Sequence, residues 1–95
     1  MKEAFIVAAA RTPVGKAPNG KIRTVRPDNL GALAINGALS QVPQLPKEDI
    51  DDVILGCAMP EAEQGMNIAR LVGLMAGLPE SVPGMTINRY CSSGL

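Results

Sequence analysis

Three apolar runs of strand length alternate with two segments of helical periodicity, and this alternation limits the folds open to the chain. The apolar runs cover residues 4–10, 50–56 and 84–88. The helical segments lie between them, at about 27–41 and 67–78. Alternation at this spacing predicts an α/β fold of strand–helix–strand–helix–strand order, with right-handed crossovers and a mostly parallel sheet.

Turn and capping residues set the bounds of the two predicted helices. Pro27 suits a first helical position, with capping side chains beside it, and Asn67 can cap the second helix. Gly77 followed by Pro79 is a helix stop signal. The predicted inward face of the first helix combines apolar and small residues at helical spacing: Leu30, Leu33, Ala34, Gly37 and Ala38. Gly31 and Gly37 each cost about 1 kcal/mol relative to Ala, so we expect them to allow a close approach to a neighbouring backbone.

The composition excludes several classes of protein. With 95 residues, 46% of them hydrophobic and 19% charged, the chain suits one small globular domain and is too apolar for a disordered segment. Nine basic and nine acidic residues balance, which argues against a nucleic-acid binder. The run at 4–10 is too short for a signal peptide, and no run reaches the roughly 20 residues of a membrane span. We therefore expect a cytoplasmic protein.

The charges are segregated along the chain. Residues 11–26 include basic residues and no acid, whereas residues 48–63 include acids and no basic residue. Two interpretations are open: two solvated surfaces of opposite sign, or a basic loop that meets a phosphate-bearing ligand or an acidic partner. Two cysteines without any histidine do not form a recognisable zinc ligand set, so no metal site is predicted.

Cys91 is the candidate for chemistry, because it directly follows the third apolar run. Ligands gather at the carboxyl ends of parallel strands, where the loops 11–16, 57–65 and 89–91 are predicted to lie. A cysteine at the first turn of a helix is exposed on a rigid mount, and the free N–H groups there favour the reactive thiolate. Spacing alone leaves a second reading open, in which Cys91 is a buried and inert residue.

Residues 88–95, Asn-Arg-Tyr-Cys-Ser-Ser-Gly-Leu, resemble the nucleophile signature of the thiolase family. The resemblance is colinear over essentially the whole chain: residues 8–16 resemble the family's opening strand and turn, 26–31 the start of its first helix, 50–56 its second strand and 67–70 its next helix. It implies a thiolase-like fold, of which residues 1–95 form an incomplete amino-terminal domain. The loop at 60–65 and the Cys-Ser-Ser-Gly form look more like degradative 3-ketoacyl-CoA thiolases.

The resemblance implies that Cys91 is the catalytic nucleophile of an acetyl-CoA C-acyltransferase. Such an enzyme cleaves 3-ketoacyl-CoA with coenzyme A through a cysteine thioester, in fatty-acid β-oxidation. Coenzyme A is then a co-substrate and no bound cofactor is expected. The family's activating histidine and second cysteine lie outside these residues, so we expect the 95-residue chain alone to be inactive. Cys57 does not match the second cysteine's motif and is predicted to be a small buried residue.

Further expectations follow from the same resemblance. The partners are acyl-CoA and coenzyme A, a second copy in a homodimer or homotetramer, and possible β-oxidation partner enzymes. Asn88 and Arg89 are interpreted as turn and interface residues, because the strand before the nucleophile pairs across the family's dimer. Two alternatives stay open: an acetoacetyl-CoA thiolase that condenses two acetyl-CoA molecules, and a non-catalytic thiolase-like protein that binds acyl chains.

Overall fold

A computed structural model describes residues 2–95. Helix α1 spans Pro27–Leu39, strand β1 Val53–Gly56, helix α2 Ile68–Met75 and strand β2 Gly84–Ile87. Short 3₁₀ turns occupy Lys47–Asp49, Ala62–Gln64 and Tyr90–Ser92. The two predicted helices and the second and third predicted strands are thus confirmed. Each is somewhat shorter than the segment predicted from the sequence.

The strands β1 and β2 are parallel neighbours, as the alternating pattern predicts. The register pairs Val53 with Gly84 and Gly56 with Ile87, so both strands end at the same level. The ladder continues one step further, because the Cys57 N–H donates to the Ile87 carbonyl at 2.9 Å. The carboxyl ends of both strands therefore open onto one edge of the sheet.

The predicted strand at residues 4–10 is wrong for this structure. The segment belongs to no ladder, and all of its residues except the half-buried Ala8 are exposed, with Ile6 at 92%. Within residues 2–95, its backbone meets the Gln41 amide: the Ala9 N–H donates to Oε1 at 3.2 Å, and the Ala9 carbonyl accepts from Nε2 at 2.7 Å. An apolar run indicates burial, but a strand also needs a neighbouring backbone to pair with.

The inward face of α1 differs in part from the prediction, because Leu30, Ala34, Gly37 and Ala38 are half-buried but Leu33 is exposed. A Cβ added to Gly31 would lie 2.9 Å from Val72 Cγ1, so the close approach at this glycine is with a side chain of α2, whereas a backbone contact was predicted. Ile35 packs against the core on the same side, whereas Leu33 is 60% exposed. The helix is apolar around most of its circumference, so spacing alone does not fix the inward face. The inward face of α1 is the one that carries Gly31, because the absence of a side chain there permits the tightest contact with α2.

The hydrophobic core lies between α2 and the sheet. Its buried residues include Cys57, Ile68 and Val72, with Leu55 packed against them. Cys57 is 8% exposed, which confirms the prediction of a small buried residue after a strand. The opposite face of the sheet presents Ile54 and its register partner Met85, both of them substantially exposed. Among residues 2–95, no helix has the length and apolar character needed to cross a bilayer.

The start of α2 is capped from the neighbouring strand. Asn67 occupies the N-cap position, as predicted, but its side chain makes no capping hydrogen bond. Its Nδ2 donates to the Gly84 carbonyl at 2.8 Å, and its Oδ1 accepts from the Thr86 hydroxyl at 2.7 Å. The Thr86 oxygen in turn accepts the Ala69 N–H at 3.1 Å. Thr86 therefore satisfies one of the free N–H groups of the first turn and ties α2 to β2.

Candidate active site around Cys91

Cys91 lies immediately beyond the carboxyl end of β2, in the middle of the 3₁₀ turn Tyr90–Ser92. Its side chain is free and exposed, in contrast to the free but buried Cys57. The exposed position of Cys91 contradicts the burial expected in the second reading. A helix was predicted to begin at Cys91, and within the described residues it is represented by this single 3₁₀ turn.

The Cys91 turn, defined as residues 88–94, contains a residue in the left-handed region. Tyr90 has a φ of 51°, which costs an L-residue roughly 1–2 kcal/mol and persists only where neighbouring groups hold it. Its N–H donates to Asn88 Oδ1 at 2.9 Å, and its carbonyl accepts from the Ser93 hydroxyl at 2.6 Å. The chain changes direction sharply at Tyr90, so Cys91 does not continue along the direction of β2.

The two serines after Cys91 brace this turn. The Ser93 hydroxyl oxygen accepts the Arg89 N–H at 3.0 Å, and the Ser92 hydroxyl donates to the Arg89 carbonyl at 3.0 Å. At the sequence level these residues indicate only small size. The structure adds that their hydroxyls replace backbone partners that a one-turn helix cannot provide.

The Cys91 turn rests on the end of β1. A Cβ built on Gly56 overlaps the Ser93 carbonyl and lies 3.0 Å from the Gly94 nitrogen, so the absence of a side chain at Gly56 makes this contact possible. Across the same gap, Asn88 Nδ2 donates to the Ala58 carbonyl at 3.3 Å. The loops after β1 and β2 thus meet as predicted, and Asn88 lies in the turn as expected. Its bond to Ala58 and the role of Gly56 were not apparent from the sequence. A glycine at a strand end was the available signal.

A cleft of about 500 Å³ opens beside the turn, on the exposed face of the sheet. Ile54, Gly56 and Ile87 form its floor, and the turn provides its other side with Arg89 and residues 92–95. Cys91 belongs to the bordering turn without lining the cleft itself. Of the three predicted loops, the one at 89–91 lines this cleft through Arg89, and neither 11–16 nor 57–65 contributes a lining residue among residues 2–95. The segment before 11–16 is not a strand of the sheet, so this loop does not reach the same edge.

Among the described residues, the backbone N–H of Cys91 has no hydrogen-bond acceptor. Neighbouring amides of the turn are used: Ser92 N–H donates to the Arg89 carbonyl and Ser93 N–H to the Tyr90 carbonyl, at 3.2 and 3.1 Å. Over residues 2–95, no such bond is made by the Cys91 N–H. When such a sulfur attacks a carbonyl group, the negative charge develops on the carbonyl oxygen. A free N–H beside the sulfur can donate a hydrogen bond to this oxyanion.

The oppositely charged segments meet at the start of α1. Arg26 pairs with Asp28 at 3.0 Å and with Glu63 at 3.3 Å. The hydrogen bonds from the Arg26 guanidinium hold the pKa of Asp28 below its ordinary value, against the opposing effect of burial, and the Asn29 N–H adds to the lowering. Arg26 therefore has a structural role. Among residues 2–95, no three potential ligating side chains cluster as a metal site would require.

These features define an α/β protein that presents an exposed, free cysteine at the carboxyl edge of a parallel sheet. The family model described as "Thiolase, N-terminal domain" matches residues 4–95. The chain belongs to the thiolase family, whose members are acyltransferases.

Curated relatives cover the chain from end to end. It is 59% identical over 95 residues to a 3-ketoacyl-CoA thiolase of Bacillus subtilis (strain 168), of which it covers 24%. It is 50% identical over 95 residues to the 3-oxoadipyl-CoA/3-oxo-5,6-dehydrosuberyl-CoA thiolase of Escherichia coli (strain K12), of which it covers 23%. A 3-ketoacyl-CoA thiolase of Saccharophagus degradans is 47% identical over 94 residues, and 24% of it is covered. The chain thus spans about a quarter of the length of these relatives.

Proposed function

We propose that the protein containing this chain cleaves 3-ketoacyl-CoA with coenzyme A, and that Cys91 is its nucleophile. The observation that carries the proposal is the position of Cys91: an exposed thiol on a braced turn at the carboxyl edge of the sheet. The family match and the 59% identity to a 3-ketoacyl-CoA thiolase support this substrate class. Residues 1–95 form an incomplete amino-terminal domain in this proposal.

The reaction has two half-reactions. The Cys91 thiolate attacks the C3 keto carbon, and the bond between C2 and C3 breaks with its electron pair on C2, which takes a proton to give acetyl-CoA. The shortened acyl group stays on the Cys91 sulfur as a thioester. A second coenzyme A thiol attacks this thioester, gives up its proton and leaves as the new acyl-CoA, which restores the free thiol. Ping-pong kinetics are expected for such a covalent route.

The reaction needs a hydrogen-bond donor for the oxyanion and a base for the proton transfers. The free Cys91 N–H would donate to the oxyanion of the acyl-enzyme step, and one such donor contributes about 2.7–4 kcal/mol in comparable sites. The proton transfers need a base, and this chain contains no histidine. We assign the base and a second, proton-moving cysteine to other parts of the full-length protein. The 95 residues alone are then inactive.

A second candidate substrate class is a 3-ketoacyl-CoA that carries a terminal carboxylate. The 50% identity to the 3-oxoadipyl-CoA thiolase of Escherichia coli favours it, since this relative covers the same 95 residues. Condensation of two acetyl-CoA molecules to acetoacetyl-CoA is the third possibility within the family. The ratio of kcat/KM for linear 3-ketoacyl-CoA, 3-oxoadipyl-CoA and acetoacetyl-CoA distinguishes the three.

The assembly we propose is a homodimer or homotetramer with β2 at its interface. Within the described sheet, β2 pairs only with β1. On its other edge the Gly84 carbonyl is bonded to the Asn67 amide, and the rest of that edge is available to another strand. Acyl-CoA and coenzyme A are the small-molecule partners. The proposed setting is the cytoplasm and fatty-acid β-oxidation, with other enzymes of that route as possible partners.

Thiolysis by the full-length protein tests the proposal. We expect the wild type to cleave a linear 3-ketoacyl-CoA, and Cys91→Ala to abolish the cleavage. Cys57→Ala is the matched control, because it removes a buried thiol that lies in the core, and it is expected to keep the activity. Equal activity of wild type and Cys91→Ala would refute the role of Cys91. Turnover by the 95-residue chain alone would refute the assignment of the base to another part of the protein.

A further inference from the structure

The amide of Asn88 joins the two loops that meet beside Cys91. Its Nδ2 donates to the Ala58 carbonyl beyond β1 at 3.3 Å, and its Oδ1 accepts the Tyr90 N–H beyond β2 at 2.9 Å. Tyr90 is the residue before Cys91 and has a φ of 51°. One side chain thus connects the exit of β1 to the residue whose backbone sets the direction of the Cys91 turn.

This connection acts together with the contact at Gly56. Ser93 lies directly over Gly56 on one side of the turn, and Asn88 bonds to Ala58 on the other. The exit of β1 therefore supports the turn both before and after Cys91. Leu55 of β1 and Cys57, the residue after this strand, belong to the core, so the support is part of the packed body of the protein.

We propose that Asn88 is a positioning residue that fixes Cys91 relative to the sheet, by bonding the turn to the exit of β1. The inference rests on the proposed function, in which the sulfur has to meet the keto carbon at near-attack distance. A displacement of about 1 Å at such a group costs on the order of 10²-fold in rate. Asn88 acts on the reaction through Cys91, and no contact with substrate is required.

Two substitutions separate the bridging role from a purely local one. Asn88→Ala removes both hydrogen bonds. Asn88→Asp keeps an acceptor for the Tyr90 N–H but lacks the donor and brings a charged oxygen near the Ala58 carbonyl oxygen. If bonding to β1 is the essential part, both variants lose activity to a similar degree.

Asn67→Ala is the matched control. The Asn67 amide also bonds a backbone carbonyl and a second polar group, but it lies at the opposite end of β2, beside Gly84. In the full-length protein, kcat for thiolysis is expected to fall by about 10- to 100-fold in both Asn88 variants, with KM little changed. Asn67→Ala is expected to lower thermal stability and to keep kcat within about threefold of wild type.

Hydrogen exchange provides a readout that does not depend on turnover. The Ser92 and Ser93 N–H groups are bonded inside the turn, so their exchange is expected to accelerate at least about tenfold in both Asn88 variants and to stay unchanged in Asn67→Ala. If the wild-type protein shows no thiolysis but both Asn88 variants still exchange these amides faster than wild type, the positioning role is supported and the proposed function is refuted. Unchanged exchange, an Asn88→Asp variant with wild-type kcat, or an equal loss of kcat in Asn67→Ala would overturn the positioning role.

Discussion

Gly56→Ala perturbs the candidate site from outside the nucleophile motif. The change adds one methyl group at the end of β1, where the Ser93 carbonyl lies against the glycine. We expect the variant to fold, to keep an exposed Cys91, and to lose most of its thiolysis activity. The reason is steric: the added carbon and the Cys91 turn cannot occupy the same place.

The size of the effect follows from the contact distances. The new Cβ overlaps the carbonyl group of Ser93 and lies 3.0 Å from the Gly94 nitrogen. Since carbon contacts are favourable near 3.5–4.0 Å, the carbonyl has to move by roughly 1 Å or more. A displacement of this size costs on the order of 10²-fold in rate, or about 2.7 kcal/mol of transition-state stabilisation. The crowding itself costs about 1–3 kcal/mol of stability.

The assay is steady-state thiolysis by the full-length protein, with Gly73→Ala as the matched control. Gly73 is a buried glycine of α2 whose added Cβ would meet Val53 and Leu78 at 3.6 and 3.8 Å, which are ordinary contact distances. We expect kcat to fall by about 100-fold in Gly56→Ala and by less than about twofold in Gly73→Ala. A Gly56→Ala enzyme with wild-type kcat would refute the reasoning, because the turn would then tolerate the displacement.

Two further predictions concern the framework of the site. Thr86→Val removes the acceptor of the Ala69 N–H and is expected to cost about 0.5–2 kcal/mol, read as a lower thermal midpoint and faster exchange of that amide than in wild type. Unchanged exchange would contradict the cap. Asp28→Asn is expected to destabilise the protein at neutral pH, because the pKa of Asp28 in the folded protein lies below its ordinary value of 3.8. The Asp28 carboxylate therefore stabilises the fold above pH 3.8, and this stabilisation is lost as the pH falls through the folded-state pKa. A difference in midpoint that stays constant as the pH is lowered from about 7 into the acid range would contradict this pH dependence.

Local signals in the sequence predicted the elements that depend on local chemistry. Pro27 and Gly77 mark ends of helices in the structure, and Gly77 has the positive φ of 89° expected of a helix stop. The parallel pairing of β1 and β2 followed from the alternation of elements, because a helix between two strands returns the chain in the same direction. The position of Cys91 beyond a strand end followed from the same pattern, whereas its exposure did not, because spacing alone left a buried Cys91 open.

Features that depend on distant neighbours could not be predicted in this way. The run at residues 4–10 has the composition of a strand, but its pairing depends on a partner backbone that its own sequence does not specify. Asn67 has the side chain of a cap, yet Thr86 from β2 accepts the N–H group of the first turn. Gly56 and Asn88 acquire their roles only when the exits of two strands meet, so neither residue type alone indicated them.

Mass spectrometry of the acyl-enzyme tests the central claim most directly. The full-length protein is mixed with a 3-ketoacyl-CoA in the absence of free coenzyme A, quenched in acid and digested. We predict an acyl group on the peptide that contains Cys91, shorter by two carbons than the substrate chain, and no acyl group on the peptide that contains Cys57. The adduct is expected to disappear when coenzyme A is added before the quench. An intact, acyl-free Cys91 in a protein that still turns over substrate would contradict the account.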